Sequence, residues 1–254
     1  MKIVLIGAGN VATHLGSTLK EKGFSIVQVY SHTMDSALRL GEKLAAKSTD
    51  NLAEIDADAD IYLFSVKDSV LETITQLPKN KGLWIHTAGS IPMDIFAGQT
   101  ERYGVLYPLQ TFSKDRAISF ENIPVFIETH LPEDEKILKE IASQLTSTVV
   151  SISSEKRKYL HLAAVFACNF TNHLYNLASQ LMEENGLSYE LLLPLIEETA
   201  DKIKTLHPKM AQTGPAIRRD NNVIDKHLQL LEGDSDKEAV YRILSESIYL
   251  ILNK

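Results

Sequence analysis

The stretch Ile3-Val4-Leu5-Ile6-Gly7-Ala8-Gly9-Asn10-Val11-Ala12 constrains this chain more than any other. Residues 3–6 are uniformly apolar and mostly β-branched, the pattern of a parallel strand buried on both faces. Gly7 permits a tight turn off that strand, and Gly9 lets backbone approach a diphosphate with no Cβ in the way. Ala12 stands where a third small residue lets the next helix pack close to the strand. That helix, expected over residues 10–22, would offer its first N–H groups, around Asn10 and Val11, and its positive dipole end to phosphates. G-x-G-x-x-A alone says little. Here it follows a strand, precedes a helix and stands at the start of the chain, so a dinucleotide site is favoured over a glycine turn that binds nothing.

Residues 25–30 read as a second strand whose end should meet the adenosine ribose. An acidic residue for the ribose 2′-hydroxyl is expected there in NAD sites. This chain has Ser31-His32-Thr33 instead. No carboxylate repels a 2′-phosphate, Ser31 and Thr33 can donate to one, and His32 can add a donor or a charge. Arg39, on the helix expected over 35–47, is a further candidate. These residues favour NADP, with NAD the second choice. The plainer reading is a turn in which Thr33 or Asp35 caps the helix.

Residues 51–60 suggest a short surface helix, and 60–66 another buried strand. Ser65, Val66 and Lys67 then lie at a strand's carboxyl end, where open α/β sheets bind ligands. Ser69 and Glu72 have capping-box spacing. The strand at 83–86 delivers His86 to the same edge, near a nicotinamide. In the extended segment 103–112, Pro108 implies an edge or irregular strand, and Gln110 could face the cleft. Strands at 124–128 and 148–152, with a helix after Pro132 between them, complete the sheet.

Strand signals stop near residue 153. Residues 156–184 read as one long helix with apolar residues on nearly every side, hence buried in a helical core or a subunit interface. At 100° per residue, Lys158, His161, Val165, Asn169, Asn172 and Asn176 share a narrow sector. A polar stripe on a buried helix needs partners, which a substrate, a nicotinamide amide or bound water could supply. His161 is the candidate for proton transfer to a substrate carbonyl oxygen or imine nitrogen, with Asn169 orienting substrate or imidazole and Asn172 beside them. The alternative is a network that only fixes packing. Further helices are expected over 188–206, from Gly214-Pro215 onward, and over 236–252 with Val240, Ile243, Leu244, Ile248 and Ile251 on the buried side. Arg218 could bind a substrate carboxylate through two hydrogen bonds or pair with Asp220.

The 254 residues carry a formal net charge of −7, which argues against nucleic-acid binding. No apolar run suits a membrane span, no signal peptide precedes the first strand, and no Cys/His cluster has metal-ligand spacing. Cys168 is the single cysteine, expected to be a buried packing residue. It suits a reducing cytoplasm.

Residues 7–12, Ser31-His32-Thr33 and Ser65-Val66-Lys67 resemble pyrroline-5-carboxylate reductase and coenzyme F420-dependent NADP oxidoreductase domains. His86-Thr87-Ala88-Gly89-Ser90, the segment 107–112, the helix from His161 to Asn169 and the segment 213–218 resemble bacterial Rossmann-like proteins with a C-terminal DUF2520 domain. The resemblance covers essentially the whole chain. It implies a Rossmann doubly wound, mostly parallel α/β domain over 1–153. An all-α domain of 6-phosphogluconate dehydrogenase C-terminal type would follow over 154–254 and form a homodimer. It further implies an NADP-dependent oxidoreductase acting on a small-molecule substrate and supplies no substrate identity. Related β-hydroxyacid dehydrogenases place a lysine and an asparagine one turn apart on this helix, whereas His161 and Asn169 are two turns apart. Two functions are therefore expected: hydride transfer to or from a small carbonyl, imine or alcohol, or a non-catalytic dinucleotide-binding sensor.

Overall fold

Eight strands form one sheet in the computed structural model, which describes residues 1–74, 77, 78 and 80–252. In chain order the first unit runs β1 (Lys2–Ile6), α1 (Asn10–Glu21), β2 (Ser25–Tyr30), α2 (Met34–Leu44), β3 (Lys47–Thr49), β4 (Ile61–Phe64) and α3 (Asp68–Leu71). It continues with β5 (Leu83–His86), β6 (Tyr103–Pro108), β7 (Val125–Thr129), α4 (Pro132–Leu145), β8 (Val149–Ser151) and α5 (Ser154–Ala164). Strand order is β3-β2-β1-β4-β5-β6-β7-β8. The first six strands are parallel, β7 is antiparallel to β6, and β8 is parallel to β7. The order reverses between β1 and β4, and it is outside the carboxyl ends at such a switch point that doubly wound sheets bind ligands.

The unbroken apolar run of β1 follows from burial on both faces. Ile3 and Leu5 pack with Ala12 and Leu15 of α1 in one core. Val4 and Ile6 pack with Tyr62, Phe64, Trp84 and Phe96 in the other. Each such side chain contributes about 1.5–3 kcal/mol relative to exposure. On α1, a Cβ at Gly16 would lie 2.6 Å from a methyl of Leu5, so this glycine sets how closely the helix approaches the strand.

Several local expectations are corrected. Residues 51–60 hold only a 3₁₀ turn at Leu52–Glu54. The helix expected to reach residue 47 stops at Leu44, and β3 follows. No capping box forms at Ser69, because α3 begins a residue earlier with Lys67 as its N-cap. The carboxylate of Asp68 instead receives the Ser90 hydroxyl. Pro108 ends a central, buried strand rather than an edge strand. Its missing N–H costs no ladder bond, because β5 pairs with β6 no further than Val105.

The run 154–184 is helical throughout but not uniform: α5 passes into a π-helical turn, Val165–Phe170, before α6 (Thr171–Glu184). A π turn holds more residues than an α turn, so the 100° wheel does not carry through it. The helix is also not buried in the single chain, with Leu162 and Phe166 at 53% and 63% exposure. Cys168, in the π turn, is half-buried rather than buried.

The chain divides into two compact units, Met1–Asn169 and Phe170–Lys254. The divide lies beyond residue 153 because polar side chains pin α5 to the sheet unit. Arg157, 1% exposed, pairs with Glu128 of β7 at 2.5 Å and donates to the Ile91 carbonyl at 2.6 Å. Glu128 also accepts from the backbone and hydroxyl of Ser154, at 2.7 and 2.6 Å. Breaking such a buried pair costs about 3–5 kcal/mol.

The second unit holds α6, α7 (Leu193–Lys202), α8 (Pro208–Ala211), α9 (Pro215–Arg218), α10 (Asn221–Leu230) and α11 (Ser235–Leu252). The helix expected from Gly214 ends after one turn, where Arg219 adopts the left-handed conformation. Its guanidinium lies 4.8 Å from the centroid of the Tyr249 ring. On α11, Ile243, Leu244 and Ile251 are exposed, contrary to the buried side expected for them. Among the described residues, no helix is long and apolar enough to cross a membrane.

Candidate functional site: the carboxyl edge of the sheet

Gly7 leaves β1 at φ +117°, a region L side chains rarely adopt. A Cβ there would overlap the carbonyl of Ser65. This proximity locks the ends of β1 and β4 together, aided by Ser65 N–H donating to the Ile6 carbonyl at 2.8 Å. Gly9 differs: it is the exposed N-cap of α1 at φ −80°, with no side-chain cap and no acid in the first turn. A Cβ on it would meet nothing within 4 Å. The first turn thus ends in bare N–H groups facing open space, which fits the diphosphate of a dinucleotide. Residues 9–11 would hold that group, while Ala12 is fully buried and serves packing. The Asn10 side chain is partly engaged, donating from Nδ2 to the Phe112 carbonyl at 2.7 Å. His14 on the same helix reaches the Ser113 carbonyl at 2.8 Å, and these two contacts tie the segment after β6 to α1.

Ser31 is half-buried, His32 and Thr33 are exposed, and Thr33 is the N-cap of α2 without a side-chain bond to its backbone. Arg39 is exposed and forms an i,i+4 pair with Asp35 at 3.0 Å. Such a pair is weak in solvent, so the guanidinium can exchange Asp35 for a phosphate. Ser65 is buried and accepts from the Thr87 hydroxyl at 3.3 Å. Val66 is half-buried and Lys67 exposed.

His86 is not a surface group. It is fully buried, stacks edge-on to Phe96 at 5.8 Å, and its Nδ1 accepts from the Ala88 N–H at 3.2 Å. Burial, and then the Arg157 charge, push it down to about 3 against the Pro92 carbonyl, which favours the proton. The expected substrate contact is therefore corrected: His86 is a neutral core residue. β5 is buried on both faces, and His86 shares one of them with Trp84, both rings packing against Phe96.

His161 arrives at the same edge from α5. Its Nδ1 lies 3.0 Å from the Tyr107 hydroxyl. The two rings meet edge to face at 6.0 Å. Gly89, just past β5, lies against the imidazole: an added Cβ would come within 2.6 Å of Nδ1. Burial raises the Tyr107 hydroxyl above the usual tyrosine value, and Arg157 opposes that rise. Gly89 and Tyr107 fall within segments that carry the family resemblance, but no local pattern assigned them a role, and Arg157 reads as an ordinary helix residue.

Asn169 is exposed in the π turn, and Gln110 is exposed with its Oε1 accepting from the Thr111 N–H at 2.8 Å. Asn172 and Arg218 are exposed residues of the second unit. Arg218 does not pair with Asp220, whose carboxylate instead accepts from the Val223 N–H at the start of α10. A cavity of about 870 Å³ at the amino ends of β4 and β5, beside Asp58, Asp60 and Arg102, lies at the edge of the sheet opposite Gly7. It is not the dinucleotide site. Among the described residues, no three His, Cys, Asp or Glu side chains are grouped to hold a metal.

The strand order and the bare glycine turn at its switch point define a class: the Rossmann-type dinucleotide-binding sheets. Residues 2–84 match the family described as NADP oxidoreductase coenzyme F420-dependent. Residues 123–248 match the domain of unknown function DUF2520. A Bacteroides fragilis protein, provisionally named an NADP oxidoreductase, is 51% identical, with a TM-score of 0.93 and 98% of each chain covered. The chain belongs to this family of NADP oxidoreductases with a DUF2520 C-terminal part.

More distant structures share the fold. An imine reductase from Myxococcus stipitatus, in complex with NADP+, is 15% identical with a TM-score of 0.68 over 100% of this chain and 93% of its own. A 1-pyrroline-5-carboxylate reductase from Streptococcus pyogenes is 14% identical with a TM-score of 0.65 over 98% of both chains. No curated protein matches the chain.

Proposed function

We propose that this oxidoreductase binds NADP across the carboxyl edge of its sheet and passes hydride between the nicotinamide and a small carbonyl, imine or alcohol. The single observation that carries the reading is the open space before Gly9 at an uncapped helix start. The backbone of residues 9–11 holds the diphosphate, and Ser31, His32, Thr33 and Arg39 face the ribose phosphate. The bound dinucleotide supplies the hydride. His161 holds or gives the proton at the substrate oxygen or nitrogen, and Asn169 orients the reactant. Gln110 is a further proposed substrate contact in the first unit; in the second unit the exposed Asn172 and Arg218 are the polar candidates.

We infer a cytoplasmic homodimer as well. Leu162 and Phe166 in the first unit, and Ile243, Leu244 and Ile251 in the second, are exposed side chains that a partner copy would cover.

Calorimetry with NADPH and NADH tests the cofactor assignment. NADPH should bind more tightly, a clear preference for NADH would refute the role of Ser31 to Thr33, and absence of binding by either would overturn the reading. His161→Ala should keep NADPH affinity and lose turnover of carbonyl or imine substrates.

A further inference from the structure

Tyr107 is 9% exposed, and among the described residues its hydroxyl has one hydrogen-bond partner, Nδ1 of His161 at 3.0 Å. Two arrangements are available to that bond. Either the phenol donates to an unprotonated Nδ1, or Nδ1–H donates to the phenol oxygen and the phenol O–H is left without a protein acceptor. An unpaired buried donor is costly enough to bias the two by roughly tenfold or more. A Cβ on Gly89 would come within 2.6 Å of Nδ1, 2.8 Å of Cγ and 2.9 Å of Tyr107 Cζ, so imidazole and phenol share one seat against that backbone.

We propose that Tyr107 is a positioning residue that fixes His161 as the Nε2–H tautomer, so that the ring offers the reactant a proton donor rather than a lone pair. The identity of the reactant rests on the oxidoreductase reading; the tautomer rests on the hydrogen bond alone. In the reduction direction the proton balance closes through the pair. Hydride adds to the carbonyl carbon and the π electron pair moves to oxygen. That oxygen takes the Nε2 proton while Nδ1 takes the phenol proton. The negative charge then sits on the Tyr107 oxygen, where burial opposes it and the Arg157 charge favours it; once the product leaves, Nε2 takes a proton from solvent and Nδ1 returns its proton to the phenol. A tyrosine suits this place because its hydroxyl can donate before the transfer and accept after it.

The test is long-range ¹H–¹⁵N NMR on the full-length protein with labelled histidine at about pH 8, above the ordinary histidine range. His161 is identified by comparison with His161→Asn. The expected spectrum has an unprotonated Nδ1 and a protonated Nε2. A protonated Nδ1, or an even mixture of tautomers, overturns the proposal from the native protein alone. Tyr107→Phe keeps the ring and removes the donor. It should mix the tautomers while leaving NADPH affinity within about twofold, and an unchanged spectrum would also overturn the proposal. Failure of NADPH to bind would strike the oxidoreductase reading and leave the tautomer assignment standing.

Discussion

Gly9→Asp should move two properties in opposite directions. At φ −80° the position is open to any residue, and an added Cβ has nothing within 4 Å to strike. Aspartate is a preferred N-cap where glycine is merely tolerated, which is worth a few tenths of a kcal/mol. Its charge at a helix start adds about 0.3–1 kcal/mol. The free protein should therefore be as stable as the native one or slightly more so. A carboxylate in the same space meets the charge of a diphosphate. At about 4 Å and an effective dielectric near 20, one such pair costs about 4 kcal/mol. Salt screening trims that to roughly 2–4 kcal/mol, or about 30- to 1,000-fold in Kd. Thermal scans with and without NADPH read both effects together. At 100 times Kd, NADPH should stabilise the native protein by about 2.7 kcal/mol, a shift of roughly 5–10 °C. The variant should show the same or a higher Tm without ligand and, at the same NADPH concentration, at most about a third of the native shift. A variant that binds NADPH within threefold of the native protein would refute the placement of the diphosphate at this turn.

Gly7→Ala should behave in the contrary way, because φ +117° and the overlap with the Ser65 carbonyl both resist a Cβ. The expected loss is about 3 kcal/mol in the free protein by urea unfolding, and an unchanged midpoint would contradict it. His86 gives a pH dependence whose sign follows from its value of about 3. Between the ordinary 6.5 and 3 the unfolded chain carries a proton on His86 and the folded chain does not. Acid therefore favours unfolding, by about 1.4 kcal/mol per pH unit. The stability difference between the native protein and His86→Gln should shrink at that slope from pH 6 to pH 4. A difference independent of pH would show that His86 accepts a proton without unfolding.

The nucleotide half of the protein was legible because its signals are local. The apolar run at 3–6, the glycines at 7 and 9 and the small residue at 12 are dictated by one strand, one turn and one helix start. The absence of an acid at 31–33 is equally local. Burial and partnership are not, and there the chain order misled. His86 and Ser65 both end parallel strands, yet pleat and neighbours leave His86 at 0% exposure beneath Phe96 and Arg157. Pro108 looked like an edge because a strand's place in the sheet depends on strands that come later. The polar stripe on the long helix was read at a constant α-helical step, and the π turn at Val165–Phe170 breaks that step.

The sequence alone thus determined the class of fold and the glycine turn at which the diphosphate is proposed to sit, since steric limits on a few consecutive residues decide both. Only the tertiary structure could seat His161 between Gly89 and Tyr107 and bury Arg157 against Glu128. Those contacts join residues far apart along the chain, and nothing short of the packed sheet edge brings them within hydrogen-bonding distance.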